Sequence, residues 1–151
     1  MSHLVNLQIV DLSRNHLTGG IDHCLSNKNL KMLYLNNNLL TGPLPSIINL
    51  PSLERIALHK NQISGRLPDL SSLSSLGNAM FHRNKINGIN SYVLPKNLKL
   101  LHLYDTEMTM IDLERLKALN KFCKVYNWRI ERIFVNHRID ILQRSYSSRI
   151  L

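Results

Sequence analysis

Apolar and polar positions along this chain fall into a frame that returns every 23 residues. Val10, Leu33, Ile56 and Ala79 form one column of it, and Leu12, Leu35, Leu58 and Phe81 a second. Asn15, Asn38, Asn61 and Asn84 keep the same step, followed by Leu17, Leu40, Ile63 and Ile86 and then by Gly19, Gly42, Gly65 and Gly88. The stretch LKMLYLNNNLLTGPLP, residues 30–45, holds one whole unit. Columns of uniform chemistry at a fixed step mark stacked structural repeats. Within each unit, apolar residues at alternate positions predict a short strand with one face turned inward. Each strand pairs in parallel with its counterpart in the next unit, so the inward leucines stack into one continuous core.

After the strand the chain must turn away, which leaves buried backbone groups without ladder partners. An asparagine carboxamide carries both donors and an acceptor, so an inward Asn at that point answers them. Asn15, Asn38, Asn61 and Asn84 are therefore expected to form a structural ladder. The glycines allow a backbone conformation that other residues resist, and Pro45 and Pro68 stiffen the following turn. Residues 69–78, DLSSLSSLGN, resemble a linker in composition, but Leu70, Leu73 and Leu76 stay in register with Ile47, Leu50 and Leu53. The repeat continues through them.

Beyond residue 91 the frame decays. A step of 22 brings Leu101, Leu103 and Met108 into line, with Thr106 where Asn is expected. A further step of 22 reaches Cys123, Val125 and Ile130, with Trp128 in the Asn column. Residues 111–121, IDLERLKALNK, predict a helix capped by Asp112, with Leu113, Leu116 and Leu119 along one side. It forms the outer arm of the sixth repeat. Past Trp128, Ile130, Ile133, Ile139 and Ile141 interleave with arginines, as a closing strand pair or a helix covering the last repeat would.

The copies LSRNHLTGGI, LNNNLLTGPLP and LHKNQISGRLP resemble leucine-rich repeats of the plant-receptor subtype, with its L-x-x-L-x-L-x-x-N-x-L-x-G-x-I-P consensus. The resemblance implies an α/β fold: a curved solenoid of about five to six repeats. Short parallel strands line its concave face, and loops and short helices its convex face. It places a repeat domain at residues 1–130, regular over about 4–91 and degenerate over 92–130, followed by a basic cap or tail at 131–151. The usual work of such a solenoid is protein recognition. The first repeat begins with Leu4 and Leu7, without the capping segment that repeat ectodomains carry. The expectation is either a piece of a longer receptor-like protein or an edge occupied by something else, for instance a second copy pairing edge to edge.

Charge adds a second candidate surface. The chain of 151 residues carries a net charge of +9. Residues 1–113 hold 10 Lys and Arg against 7 Asp and Glu, whereas residues 114–151 hold 9 against 3. The basic end opens an alternative reading, a module docking on nucleic acid or an anionic membrane through residues 114–151. Its cations are dispersed, however, and match no nucleic-acid motif; a solvated cap is the preferred explanation. No apolar run reaches the ~18 residues of a membrane span, and no secretory leader precedes the first repeat. Cys24 and Cys123 sit about four repeats apart, roughly 19 Å at one strand spacing per repeat, too far for a disulfide. Free thiols, with no asparagine in an N-x-S/T sequon, point to the cytoplasm; a receptor-like fragment would instead be extracellular.

The sequence carries no H-E-x-x-H, P-loop, G-x-S-x-G or C-x-x-C signature, so neither an enzyme nor a cofactor is expected. His59 and His82 occupy one outward column a strand apart, with His102 in the neighbouring column. Two imidazoles at that spacing could share a metal, yet only Asp105, a strand further on, is near enough to extend the set, and no metal site is expected. The outward columns themselves are the better candidate. The position inside the leucine pair reads Asp11, Tyr34, Ala57, Met80, His102 and Lys124. The position after it reads Ser13, Asn36, His59, His82, Tyr104 and Tyr126, and the one before it Ile9, Met32, Arg55, Asn78, Leu100 and Phe122. Aromatic, Met and Arg side chains are enriched where proteins meet. Met32, Tyr34, Arg55, His59, Met80, His82, His102, Tyr104 and Tyr126 are therefore the candidate contacts for a protein partner. The competing explanation is that these side chains pack on one another along the sheet. Lys28 and Arg66, on the opposite side, are expected to take no part in binding or stability.

Overall fold

The computed structural model describes residues 6–21, 27–45, 50–120 and 122–126. Cys24, Trp128 and the whole 131–151 segment lie outside them. Two parallel sheets run side by side along the stack. The first has six strands, β1 (Ile9–Asp11), β3 (Met32–Tyr34), β5 (Arg55–Ala57), β7 (Asn78–Met80), β9 (Leu100–His102) and β10 (Lys124–Tyr126), in the order β1-β3-β5-β7-β9-β10. The second holds β2 (Thr18–Gly19), β4 (Leu39–Pro43), β6 (Gln62–Leu67) and β8 (Lys85–Ile89), in the order β2-β4-β6-β8. One helix is seen among the described residues, α1 (Met110–Leu119), between β9 and β10. The repeat solenoid expected from the columns is thus present. Its outer side is built largely from the second sheet and its connections, where loops and short helices were expected.

The middle residue of each first-sheet strand points inward. Leu33, Ile56, Ala79 and Leu101 are buried, each directly paired with the next. Leu35, Leu58, Phe81 and Leu103 form a second inward layer, and Leu70, Leu73 and Leu76 a third beneath the connections. The first repeat is looser: Leu12 and Leu17 remain 40% and 37% exposed, whereas Leu58 and Ile63, their counterparts two repeats on, are 1% exposed.

One carboxamide per turn joins these layers to the backbone. Asn61 Nδ2 donates to the carbonyl of Leu58 in its own repeat (2.9 Å) and to that of Leu35 in the preceding one (3.0 Å), while its Oδ1 accepts from the N–H of Leu40 (3.0 Å). Asn38 does the same with Leu35, Leu12 and Leu17, and Asn84 with Phe81, Leu58 and Ile63. Among the described residues, Asn15 reaches only Leu12 and Ser13 of its own turn, and it is exposed. In the fifth copy the hydroxyl of Thr106 donates to Leu103 at 2.6 Å.

The residue ahead of each of these positions is left-handed. Arg14, Asn37, Lys60, Arg83 and Asp105 all have φ between 53° and 57°. That conformation costs a non-glycine residue roughly 1–2 kcal/mol. It is held by the ladder: the N–H of Arg14, Asn37, Lys60 and Arg83 each donates to a carbonyl of the following repeat, at 2.9–3.0 Å. The glycine column divides. Gly42 and Gly65 adopt φ of 77° and 79°, as expected, but Gly88 does not. A Cβ there would lie 2.6 Å from the Arg66 guanidinium, so Gly88 serves close approach. Arg66 donates from Nε to Asn90 (3.0 Å) and from Nη2 to the carbonyl of Ile89, across a register shift between β6 and β8. Arg66 is therefore a tie between repeats, contrary to its expected inertness.

Two details of the last turns also differ from expectation. The helix is capped by Thr109, whose hydroxyl accepts from the Asp112 N–H (3.2 Å), and Asp112 sits in the first turn. Leu113 and Leu116 are buried but Leu119 is 67% exposed. The sixth strand pairs Leu101 with Val125 and His102 with Tyr126, a step of 24 in place of the expected 22. Val125 takes the column assigned to Cys123, and Lys124 the one assigned to Phe122. A two-residue slip preserves which face each side chain occupies.

The ladder makes a testable contrast. Asn61→Ala leaves buried backbone groups of two repeats unpaired and is expected to cost about 1–3 kcal/mol or more, whereas Asn15→Ala should cost less than about 0.5 kcal/mol. Leu58→Ala, a cavity mutation in the same turn, should cost about 2–5 kcal/mol. Urea denaturation of the three variants reads all of these; equal midpoints for the two asparagine variants would remove the ladder's role.

Candidate functional site

The outward face of the six-stranded sheet is where the candidate contacts gather. Strand pleat sends both flanking residues of each strand to that face. Met32 and Tyr34 leave β3 together, the Tyr34 hydroxyl donating to Met32 Sδ at 3.4 Å. Arg55 is exposed at the start of β5, while Ala57 at its end is buried between Tyr34 and Met80, its partners in register. Met80, Leu100, His102 and Tyr126 are half-buried along the same face.

Beside them runs a stack of rings. His59, His82 and Tyr104 follow β5, β7 and β9 at one strand spacing, which brings aromatic faces into contact. His59 and His82 stack at 4.3 Å between ring centroids with 13° between planes, and His82 and Tyr104 at 4.0 Å with 20°. His102 leans on this row, 5.8 Å from His82, and contacts Tyr126 at 4.8 Å. Tyr126 thereby belongs beside His102, one column over from its expected place. His82 is 5% exposed and offers a partner little area of its own; it supports its neighbours.

Burial sets the electrostatics. Loss of water, aided by the charges of His59, His102, Arg83 and Lys60, holds the His82 imidazolium pKa down to about 3. Burial likewise lowers His59, with Lys60, His102 and Arg83 adding to it, and lowers His102. These rings are neutral at pH 7, so the positive charge of the face comes from Arg55, Lys60, Arg83 and Lys124. Arg83 pairs with Asp105 at 3.4 Å, both exposed. Among the described residues no group of three or more His, Cys, Asp or Glu comes together to hold a metal. Near-parallel rings point their nitrogen lone pairs side by side, and a metal needs them to converge.

Away from this face, Cys123 is a free, half-buried thiol whose pKa burial pushes up to about 11, the opposite of what a nucleophile needs. The Tyr92 hydroxyl donates to Asp112, and Arg115 lies 5.8 Å above the Tyr92 ring. Burial disfavours the charge on Asp112, but the Tyr92 and Thr109 hydrogen bonds and the charges of Arg66 and Arg115 outweigh it and lower its pKa. Asn120 joins this end of the helix to residues 92–94, donating to Tyr92 and Leu116 at 2.8 Å and accepting from Leu94 at 3.2 Å. The sequence reading missed Asn120, which lies outside the 23-residue columns.

The family model described as leucine rich repeat matches residues 5–63, the most regular part of this architecture. The fold is that of a leucine-rich-repeat solenoid. Solved structures extend the likeness over most of the chain. A pollen receptor kinase 3 is 25% identical, with a TM-score of 0.68 over 83% of this chain and 62% of that one. Internalin C2 of Listeria monocytogenes is 27% identical, with a TM-score of 0.63 over 82% of this chain and 53% of its own. A leucine-rich-repeat protein of Leptospira interrogans is 25% identical, with a TM-score of 0.60 over 82% and 38%. The chain thus spans less than two thirds of the length of each. No curated protein gives a significant sequence match. Among the described residues, no helix is long and apolar enough to cross a membrane.

Tyr104 and Tyr34 now part company as probes. Tyr104→Ala strips a stacked ring from buried His82, and an aromatic pair is worth about 0.5–1.5 kcal/mol beyond area burial. Tyr34→Ala removes only a half-buried side chain with a weak sulfur contact. Chemical denaturation should therefore show Tyr104→Ala the more destabilising by about 1 kcal/mol; the reverse order would mean that the stack contributes nothing to stability.

Proposed function

We propose that this leucine-rich-repeat protein is a non-enzymatic recognition scaffold. Another protein docks on the outward face of its six-stranded sheet, the side that the family's curvature makes concave. One observation carries the reading: Met32, Tyr34, Met80, Leu100, His102, Tyr104 and Tyr126 remain half-buried on an open sheet face, bordered by exposed Arg55 and Lys124. Packing along the sheet accounts for Ala57 and His82, which are buried, but the others keep area available to a partner. Tyr and Arg are common energetic anchors of protein interfaces, and short strands spaced at one pitch present them as rigid columns. The similarity to a receptor kinase and an internalin supports recognition as the class of work.

The test begins with affinity capture on the folded chain, identification of the bound protein, and calorimetric titration with that protein. Tyr34→Ala is expected to weaken binding about 30-fold, or ~2 kcal/mol, with little change in stability. Lys28→Ala, in the exposed connection before β3, should bind as the parent does. Unchanged affinity in Tyr34→Ala, with loss of binding on substitution of the arginines beyond residue 126, would replace the docking face with the basic end of the chain.

A further inference from the structure

The centre of the outward face holds three imidazoles and lacks the carboxylates that normally accompany histidines in ion pairs. His82 is enclosed by His59 on one side and Tyr104 on the other, with His102 tilted against it. The Nδ1 atoms of His59 and His82 are both shut off from water with no hydrogen-bond partner. An imidazole in that position keeps its single proton on Nε2 and leaves Nδ1 as a bare lone pair. A second proton can go only to Nδ1, where it creates a buried N–H with no acceptor.

The surroundings offer that proton no compensation. The turn after β5 brings His59 and Lys60, the turn after β7 brings Arg83, and β9 with its turn brings His102, Tyr104 and Asp105. All but Asp105 are neutral or cationic, and Asp105 is exposed and paired with Arg83. We infer that the His59–His82–Tyr104 stack is a proton-sensitive lock on the docking face, closed while the two imidazoles are neutral and opened by acid. As control of docking this rests on the reading above. Its test uses only the chain's own stability and ring protonation, so the two can fail separately.

The sign follows from linkage. Burial, then the neighbouring positive groups, depress His82 to about 3 in the folded chain, against an ordinary value of 6.5. The unfolded chain therefore takes up the proton first. The stability contribution is complete above 6.5 and is lost as pH falls from there toward 3. Across that window one locked imidazole multiplies the unfolded-to-folded ratio by about tenfold per pH unit.

Urea denaturation of the whole chain between about pH 7.5 and 4.5, compared with His82→Phe, isolates this contribution from that of the carboxylates. The variant keeps a ring in the stack but has no site for the proton. Its ratio is expected to change with pH less steeply than the parent's by about tenfold per unit below 6.5. In the parent, the His82 ring signals in NMR should remain those of the neutral Nε2–H form down to about pH 5. A His82 that titrates near its ordinary value, or a variant with the parent's pH slope, overturns the lock. Should His82→Phe fail to fold, the NMR titration of His82 in the parent decides the matter by itself.

Discussion

Everything in this solenoid depends on how the backbone is satisfied where the chain leaves each strand. A corner in the interior of a repeat stack exposes carbonyl and N–H groups to a medium that cannot solvate them. Here one carboxamide per turn answers three of them at once: a carbonyl of its own repeat, and a carbonyl and an N–H of the preceding one, 26 and 21 residues back along the chain. The leucine layers supply the bulk of the burial, but they are non-directional and would tolerate other stackings. The carboxamide is directional. It imposes one relation between adjacent turns, while the backbone N–H bonds of Lys60 and Arg83 to the following repeat hold these residues in a left-handed conformation they would not choose alone.

That constraint explains which parts of the fold were legible in the sequence. Asn38, Asn61 and Asn84 stand out because no other side chain does the same work, and their columns locate the strands on either side. The second sheet was not legible. Its strands pair at offsets of 21, as in Thr41 with Gln62, or of 22 beyond the register shift, so the partners are not members of one column. The helix cap fell to Thr109 instead of Asp112 because both residue types cap helices, and only the hydrogen bond distinguishes the cap from the first turn. The sixth strand was misplaced by two because neither Asn nor a regular leucine pair survives there to anchor the frame.

The outward face was half legible. Its columns could be read from period alone, and they gathered the right side chains apart from those after residue 120. What periodicity cannot convey is which members of a column are exposed. His59 and His82 look equivalent in sequence, yet His82 has a ring on both sides and is buried while His59 is at the end of the stack. Exposure is decided by the rings on the adjacent strands, each about one repeat away in the chain. Likewise nothing in Arg66 alone signals that it lies over Gly88; the pairing needs the register shift between β6 and β8.

The uneven steps near the end of the stack bear on how such a chain can change length. From β7 to β9 the step is 22 residues and from β9 to β10 it is 24, so the two together restore the span of two regular units. The shorter connection still carries Asn84, whereas the longer one has Thr106 in that place and holds α1. In evolutionary terms, the stack admits two kinds of insertion and deletion. Whole units of 23 residues can be duplicated or lost without disturbing any bond between those that remain. Single residues can come and go only in the outer connections. A one-residue change between Leu58 and Asn61 would break the link to the preceding repeat, which is why the interior copies keep their length while the last ones drift.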